Sequence, residues 1–256
     1  MPLLQIENLT IFFGGLRAVH DFRFTIEQGQ VRGLIGPNGA GKTTIFNLIT
    51  GIHKPTEGKI ILDGKNIVGF RPNEIAAMGI GRTFQNMRLW RHMTILEHIK
   101  MARYSKLDYG LVGAFFGTSL RHKEEADAEK KAVELMELFG IRRFADQVVT
   151  GLPYGLQRRV EMARAMAMEP KLLLLDEPTA GMNPEELSEM VTVIRQIKRE
   201  FDVAIFLIEH RMKVVMELCE RIQTLDFGEV IAEGTPEEIR SNPRVIDAYL
   251  GKEAEI

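Results

Sequence analysis

The chain has 256 residues, with 33 Lys and Arg against 35 Asp and Glu and a net charge of −2. At roughly 150 residues per domain this is one or two domains with ample chain for a core, and the charge balance supplies no concentrated positive field for nucleic acid. An apolar share of 45% is too high for a disordered chain, and the single cysteine, Cys219, excludes an internal disulfide.

The opening Met1-Pro2-Leu3-Leu4-Gln5-Ile6-Glu7 has no basic stretch followed by an apolar one. No signal peptide is expected, and the chain is expected in the cytoplasm unless a partner holds it at a membrane. Leu3, Leu4, Ile6, Leu9, Ile11 and Phe13 alternate loosely and Phe22-Arg23-Phe24-Thr25-Ile26 cleanly, which predicts short strands. Residues 31–35 read as a buried strand ending at Gly36, and 42–50 as a helix stopped by Gly51. Residues 59–62 read as a strand followed by an Asp63-Gly64 turn. Met87, Leu89, Trp90 and Met93 form an apolar cluster, expected to pack in the core unless it lines a groove for a partner helix.

Thr94-Ile95-Leu96-Glu97 is a capping box that opens a mainly helical stretch reaching about Ala167. In it, 109–120 is the longest run without Asp, Glu, Lys or Arg, at twelve residues, short of the roughly twenty that span a bilayer. Its Phe115 and Phe116 among Gly110, Gly113 and Gly117 suit a mobile loop or a membrane-proximal contact. The charged run 121–131 predicts a solvated helix face, and Ala132, Val133, Leu135, Met136 and Phe139 an apolar stripe. Leu172-Leu173-Leu174-Leu175 is strand-like. Asn183-Pro184-Glu185-Glu186 supplies an N-cap, a first-turn Pro and a Glu at the third position, with Leu187, Met190, Val191, Ile194 and Ile197 at helical spacing behind it. Residues 203–208 predict a strand, and Thr235-Pro236-Glu237-Glu238 repeats the capping formula.

Gly36-Pro37-Asn38-Gly39-Ala40-Gly41-Lys42-Thr43 fits G-x-x-x-x-G-K-[ST] between a predicted strand and a predicted helix. Glycines let backbone N–H groups converge on a polyphosphate, and the helix N-terminus adds positive potential. Lys42 can reach the β- and γ-phosphates, and the Thr43 hydroxyl, followed by Thr44, can ligate Mg²⁺. Downstream, the 172–175 strand delivers Asp176-Glu177 to a sheet edge. There Asp176 would hold Mg²⁺, directly or through water, and Glu177 would act as general base toward the attacking water.

Leu152-Pro153-Tyr154-Gly155-Leu156, beginning 24 residues before Asp176, resembles the L-S-G-G-Q signature of ABC-type ATPases. Gln85 in Arg82-Thr83-Phe84-Gln85 resembles their Q-loop glutamine, Ala180-Gly181-Met182-Asn183 their D-loop, and His210, 34 residues after Asp176, their switch histidine. The order holds from about Leu3 to Gly251. The resemblance implies an α/β fold: a P-loop NTPase core of ABC type with a parallel sheet, an N-terminal antiparallel β subdomain and an inserted helical subdomain. It places one domain over 1–256, the helical part near 88–165 and a C-terminal segment near 235–256. It makes Gln85 a sensor of Mg²⁺ and γ-phosphate and His210 a bridge between that phosphate and water. Phe13 stands where the family stacks an aromatic ring on adenine, although Phe12 is adjacent and a core position is open to either. Asn183 replaces a D-loop Asp and could equally be only a helix cap.

Phe13-Gly14-Gly15-Leu16-Arg17-Ala18-Val19, Ile208-Glu209-His210, and Gly234-Thr235-Pro236-Glu237-Glu238-Ile239 with Ala248-Tyr249-Leu250-Gly251 are similar to branched-chain amino acid importers, in particular the larger of their two ATPase subunits, the LivG type. That family implies ATP and Mg²⁺ as cofactors. Its partners are integral-membrane permease subunits, a second ATPase subunit (as a heterodimer, or a homodimer in isolation) and, indirectly, an extracytoplasmic binding protein. The alternatives are an ABC ATPase for another cargo, such as urea, other amino acids or an exported lipid, and, less favoured, a soluble ABC protein, a class that usually carries a coiled-coil insertion or two tandem ATPase units.

The signature departs from the family at Pro153, Tyr154 and Leu156. It acts in trans on the other subunit's γ-phosphate, and Pro153 offers neither hydroxyl nor N–H, leaving Gly155 and the helix start. Loss of one charge-assisted hydrogen bond, roughly 1.5–3 kcal/mol, weakens a site about ten- to a hundredfold. In a heterodimer, the site completed by this signature is expected to be the weaker one.

Overall fold

The computed structural model describes residues 1–106 and 119–250, so most of the 109–120 segment lies outside the described residues. Strands β1 (Leu4–Phe13) and β2 (Leu16–Ile26) form an antiparallel hairpin. Strand β3 (Val31–Ile35) leads through the glycine-rich loop into α1 (Lys42–Ile49). After these come β4 (Glu57–Leu62), β5 (Lys65–Asn66), α2 (Pro72–Ala77), β6 (Ile80–Arg82), α3 (Ile95–Arg103), α4 (Ser119–Leu138) and α5 (Tyr154–Ala167). The chain continues through β7 (Leu172–Asp176), α6 (Pro184–Phe201), β8 (Ala204–Ile208), α7 (Met212–Leu218), the hairpin β9 (Arg221–Asp226) and β10 (Glu229–Gly234), α8 (Pro236–Arg240) and α9 (Pro243–Leu250).

Two sheets result. One is antiparallel, in the order β2-β1-β4-β5; the other runs β10-β9-β3-β8-β7-β6, parallel except for the edge strand β10. β3, β7 and β8 are buried at every residue, because a parallel sheet covered on both faces needs apolar side chains throughout. Alternate residues serve different faces. Leu173, Leu175, Ile205 and Leu207 join the core shared with α3 to α7. Leu172, Leu174, Phe206 and Ile208 join the core shared with α1 and the antiparallel sheet. The loose alternation of β1 has a cause: Asn8 takes a φ of +50° and the pairing with β2 shifts register between Ile6 and Leu9.

All three capping boxes form. Thr94, Asn183 and Thr235 each accept the N–H three residues ahead, and Glu97, Glu186 and Glu238 reach back to them. The expectation of core packing for Met87, Leu89, Trp90 and Met93 is corrected in part: Leu89 packs against the core, but none of the four is fully buried, and Trp90 is 49% exposed under the Arg164 guanidinium. Among the described residues no helix is long and apolar enough to cross a membrane.

What positions the site is strand order. β3, β8, β7 and β6 are neighbours and parallel, so the glycine-rich loop, Glu209-His210, Asp176-Glu177 and Thr83 to Gln85 all emerge at one edge.

Candidate active site

The loop after β3 folds tightly. Gly36 has a φ of +147°, and a side chain there would meet the Leu225 carbonyl oxygen at 2.0 Å. Gly41 caps α1 at a φ of +105°, with no side chain capping the first turn. The helix therefore directs backbone N–H groups outward where an anion can meet them. Lys42 is buried, and its Nζ donates to the Gly36 and Pro37 carbonyls at 2.6 and 2.8 Å.

A cleft of about 750 Å³ opens over this loop. Asn38, Gly39, Ala40, Gly41, Lys42, Thr43 and Thr44 line one wall; Phe13, Leu16, Arg17 and Ala18 another; Gln85, Glu177 and Phe227 complete it. Phe13 and Phe12 are both 44% exposed, so neither is a core residue, and of the two only Phe13 lines the cleft, its ring edge-on to His53.

Glu177 holds a φ of +49°, and its N–H donates to the Ile208 carbonyl at 2.9 Å. Its Oε2 accepts from Gln85 Nε2 at 3.2 Å, and its Oε1 lies 3.8 Å from His210 Nδ1. Asp176 is buried, its Oδ2 3.2 Å from Arg82 Nη2. Burial pushes the Asp176 carboxyl above the ordinary aspartate range, and Arg82 opposes that. Asp176 Oδ1 is buried with no hydrogen-bond partner among the described residues, an acceptor that suits a cation or its water.

The ABC transporter family model matches residues 19–180. The chain belongs to the ABC transporter family. Residues 229–255 of this cassette match a second model, described as a branched-chain amino acid ATP-binding cassette transporter. The chain is 43% identical over 251 residues, 98% of each protein, to the high-affinity branched-chain amino acid transport ATP-binding protein BraF of Pseudomonas aeruginosa. It is equally similar, 43% over 98% of both chains, to LivG of Salmonella typhimurium, a protein of the same description. Among solved structures, the ATP-binding cassette MJ1267 of an ABC transporter, in its ADP conformation, superposes with a TM-score of 0.84 at 30% identity, covering 98% of this chain and 99% of that one.

Within this ABC cassette, the sequence candidates Gly36, Pro37, Asp176 and His210 adjoin lining residues without lining the cleft themselves, and Gly155 stands apart from it. Gly155 does not line the cleft; it is buried in the first turn of α5, where a side chain would meet Glu186 Oε1 at 2.8 Å. Pro153 is the N-cap of α5 and its carbonyl accepts the Leu156 and Gln157 N–H groups, both at 3.1 Å. Asn183 Oδ1 accepts the Glu185 and Glu186 N–H groups, so its capping role is realised.

Further residues outside the motifs hold these groups in place. Arg158 and Glu161, both buried on α5, pair at 3.0 Å. Arg158 Nη1 donates to the Phe84 carbonyl at 2.6 Å, and Glu161 Oε1 accepts the Phe84 N–H at 3.0 Å. The segment bearing Gln85 is thereby tied to the signature helix. Two opposite charges at i and i+3 among Val160, Met162 and Ala163 were the available signal. Arg82 likewise joins Asp176 to Asn47 and Thr50 around α1, with both side-chain oxygens at 2.9 Å. At the far end of the chain, the Tyr249 hydroxyl in α9 accepts the Gly36 N–H at 2.9 Å.

Proposed function

We propose that this chain is the ATP-hydrolysing subunit of an importer for branched-chain amino acids. It would work at the inner face of the membrane against permease subunits and beside a second ATPase subunit, with an extracytoplasmic binding protein delivering cargo to the permease. The observation that carries the hydrolytic part is the convergence of the glycine-rich loop, Gln85 and Glu177 on one cleft, with His210 beside it at 3.8 Å from Glu177. The amino acid cargo rests on the likeness to BraF and LivG along nearly the whole chain.

In this reading Phe13 stacks on adenine, and the backbone from Gly36 and Pro37 through Asn38, Gly39, Ala40, Gly41, Lys42, Thr43 and Thr44 wraps the phosphates. Lys42 exchanges the Gly36 and Pro37 carbonyls for phosphate oxygens. Thr43, Gln85 and Asp176 would hold Mg²⁺, which fits the unpartnered buried Asp176 oxygen and supplies charge neutralisation on the phosphates when bound. Glu177 accepts a proton from water as its oxygen bonds to the γ-phosphorus, and the bond to the bridging oxygen breaks with its electron pair leaving on ADP. His210 stabilises the charge that develops on the transferred phosphate. Gly155 and the first turn of α5 serve the site of the other subunit. Residues 88–106 and 119–165 would belong to the helical subdomain. An apolar groove of about 610 Å³, lined by Ile75, Phe84, Leu89, Trp90 and Met101 among others, suits a short permease helix.

Replacing Glu177 by Gln tests this. Steady-state hydrolysis should fall by at least about a hundredfold, while nucleotide stays bound and a dimer accumulates. Hydrolysis at the unmodified rate would overturn the assignment of the base.

A further inference from the structure

Glu209 has no part in the roles assigned above, yet it is fully buried between the loop that carries His210 and the turn that follows Glu177. A buried carboxyl group is costly unless donors surround it. Here four do, from two different loops. Oε1 accepts the Thr179 N–H at 3.1 Å and the Thr179 hydroxyl. Oε2 accepts the N–H of His210 at 3.0 Å and of Arg211 at 3.2 Å. Two more bonds join the same loops: Arg211 Nη2 donates to the Met182 carbonyl at 3.1 Å, and the Glu177 N–H to the Ile208 carbonyl at 2.9 Å.

These contacts close a ring. Glu177 leads by the chain to Thr179, Thr179 binds Glu209, Glu209 binds the His210 peptide, and the His210 ring returns to Glu177 at 3.8 Å. The His210 side chain is 47% exposed, so packing alone does not orient it. The turn 179–182 is itself closed by Met182 N–H donating to the Thr179 carbonyl at 3.2 Å, and it runs straight into the Asn183 cap of α6.

We propose that Glu209 is a positioning residue: it locks His210 and the turn 179–182 into one unit, so that a displacement of that turn moves His210 relative to Glu177. This rests on the reading of His210 given under Proposed function. Glu209→Gln keeps the shape but sets an NH2 group against one pair of donors. Thr179→Val removes only the hydroxyl bond, and Thr179→Ser keeps it.

The test is ATPase kinetics of the full chain in its transporter complex. Glu209→Gln should lower kcat about tenfold or more, the loss of a charge-assisted hydrogen bond, with KM for ATP changed less than about twofold. In a His210→Ala background the same substitution should change kcat by less than about twofold. Thr179→Val should follow Glu209→Gln in direction, and Thr179→Ser should retain activity. A full additional loss in the His210→Ala background overturns the brace alone; full activity of His210→Ala by itself overturns the assignment of His210 and the brace with it. Should Glu209→Gln fail to fold, the Thr179 pair decides, and equal kcat for Val and Ser overturns the proposal.

Discussion

Glu177 occupies a left-handed backbone conformation at a φ of +49°, where a residue with a Cβ is disfavoured by about 1–2 kcal/mol. Its carboxylate also raises the cost of charge on neighbouring Asp176. Both strains are removed by glycine. Glu177→Gly should therefore be at least as stable as the unmodified chain, by up to about 1 kcal/mol, while hydrolysis is lost; a denaturation midpoint well below that of the parent would contradict this. The chemistry on contiguous residues is legible in the sequence: the glycine-rich loop and Asp176-Glu177 announce themselves by spacing. Arg82, Arg158, Glu161 and Glu209 do not. They are buried charges, and pattern reading assigns a charge to the surface unless a partner is in view; Arg158 and Glu161 do face each other at i and i+3, but the partners that tie the four to other loops, Asp176 for Arg82, Phe84 for Arg158 and Glu161, and Thr179 for Glu209, lie at least 30 residues away.

Among the elements, the capped helices are legible because Thr94, Asn183 and Thr235 each carry their signal within four residues. The hairpin β9–β10 is not. Its turn is Phe227-Gly228, with both residues at positive φ, 43° and 80°; such a turn favours Asn or Asp before Gly, and a Phe hides it. β6, with three residues, is too short for periodicity. Helix α3 carries a pH-sensitive bond. His98 is fully buried, its Nε2 accepts the Trp90 N–H at 2.9 Å, and its Nδ1 therefore donates to the Thr94 carbonyl at 2.8 Å. Burial holds its pKa below the ordinary 6.5, and nearby Arg164 works in the same direction. The folded state thus binds fewer protons than the unfolded chain, so stability from this group is full above about pH 6.5 and is lost as pH falls below it. Urea midpoints should drop between about pH 7.5 and about pH 5.5, and drop less in His98→Gln; identical drops would contradict the assignment.

On the scale of the whole molecule, the parallel sheet divides two cores, one with α1 and the antiparallel sheet, the other with α3 to α7. The nucleotide cleft lies on the side of α1, whereas the signature turn at Pro153 begins α5 on the other side. In the proposed reading Gly155, which does not line the cleft, serves the loop of a second subunit, and composition and spacing, which are blind to that subunit, leave its role to resemblance. Paired with a second ATPase, the chain should show unequal sites. ATP turnover should fall by different factors for Glu177→Gln and for the equivalent change in the partner ATPase, because Pro153 lacks a donor; equal losses would remove the asymmetry.

The bond between Tyr249 and Gly36 also bears on how this protein is handled. A change that removes the Tyr249 hydroxyl or displaces α9 withdraws the acceptor from the first glycine of the nucleotide loop, so binding measured on variants around Tyr249 reports on the loop as well as on the position altered.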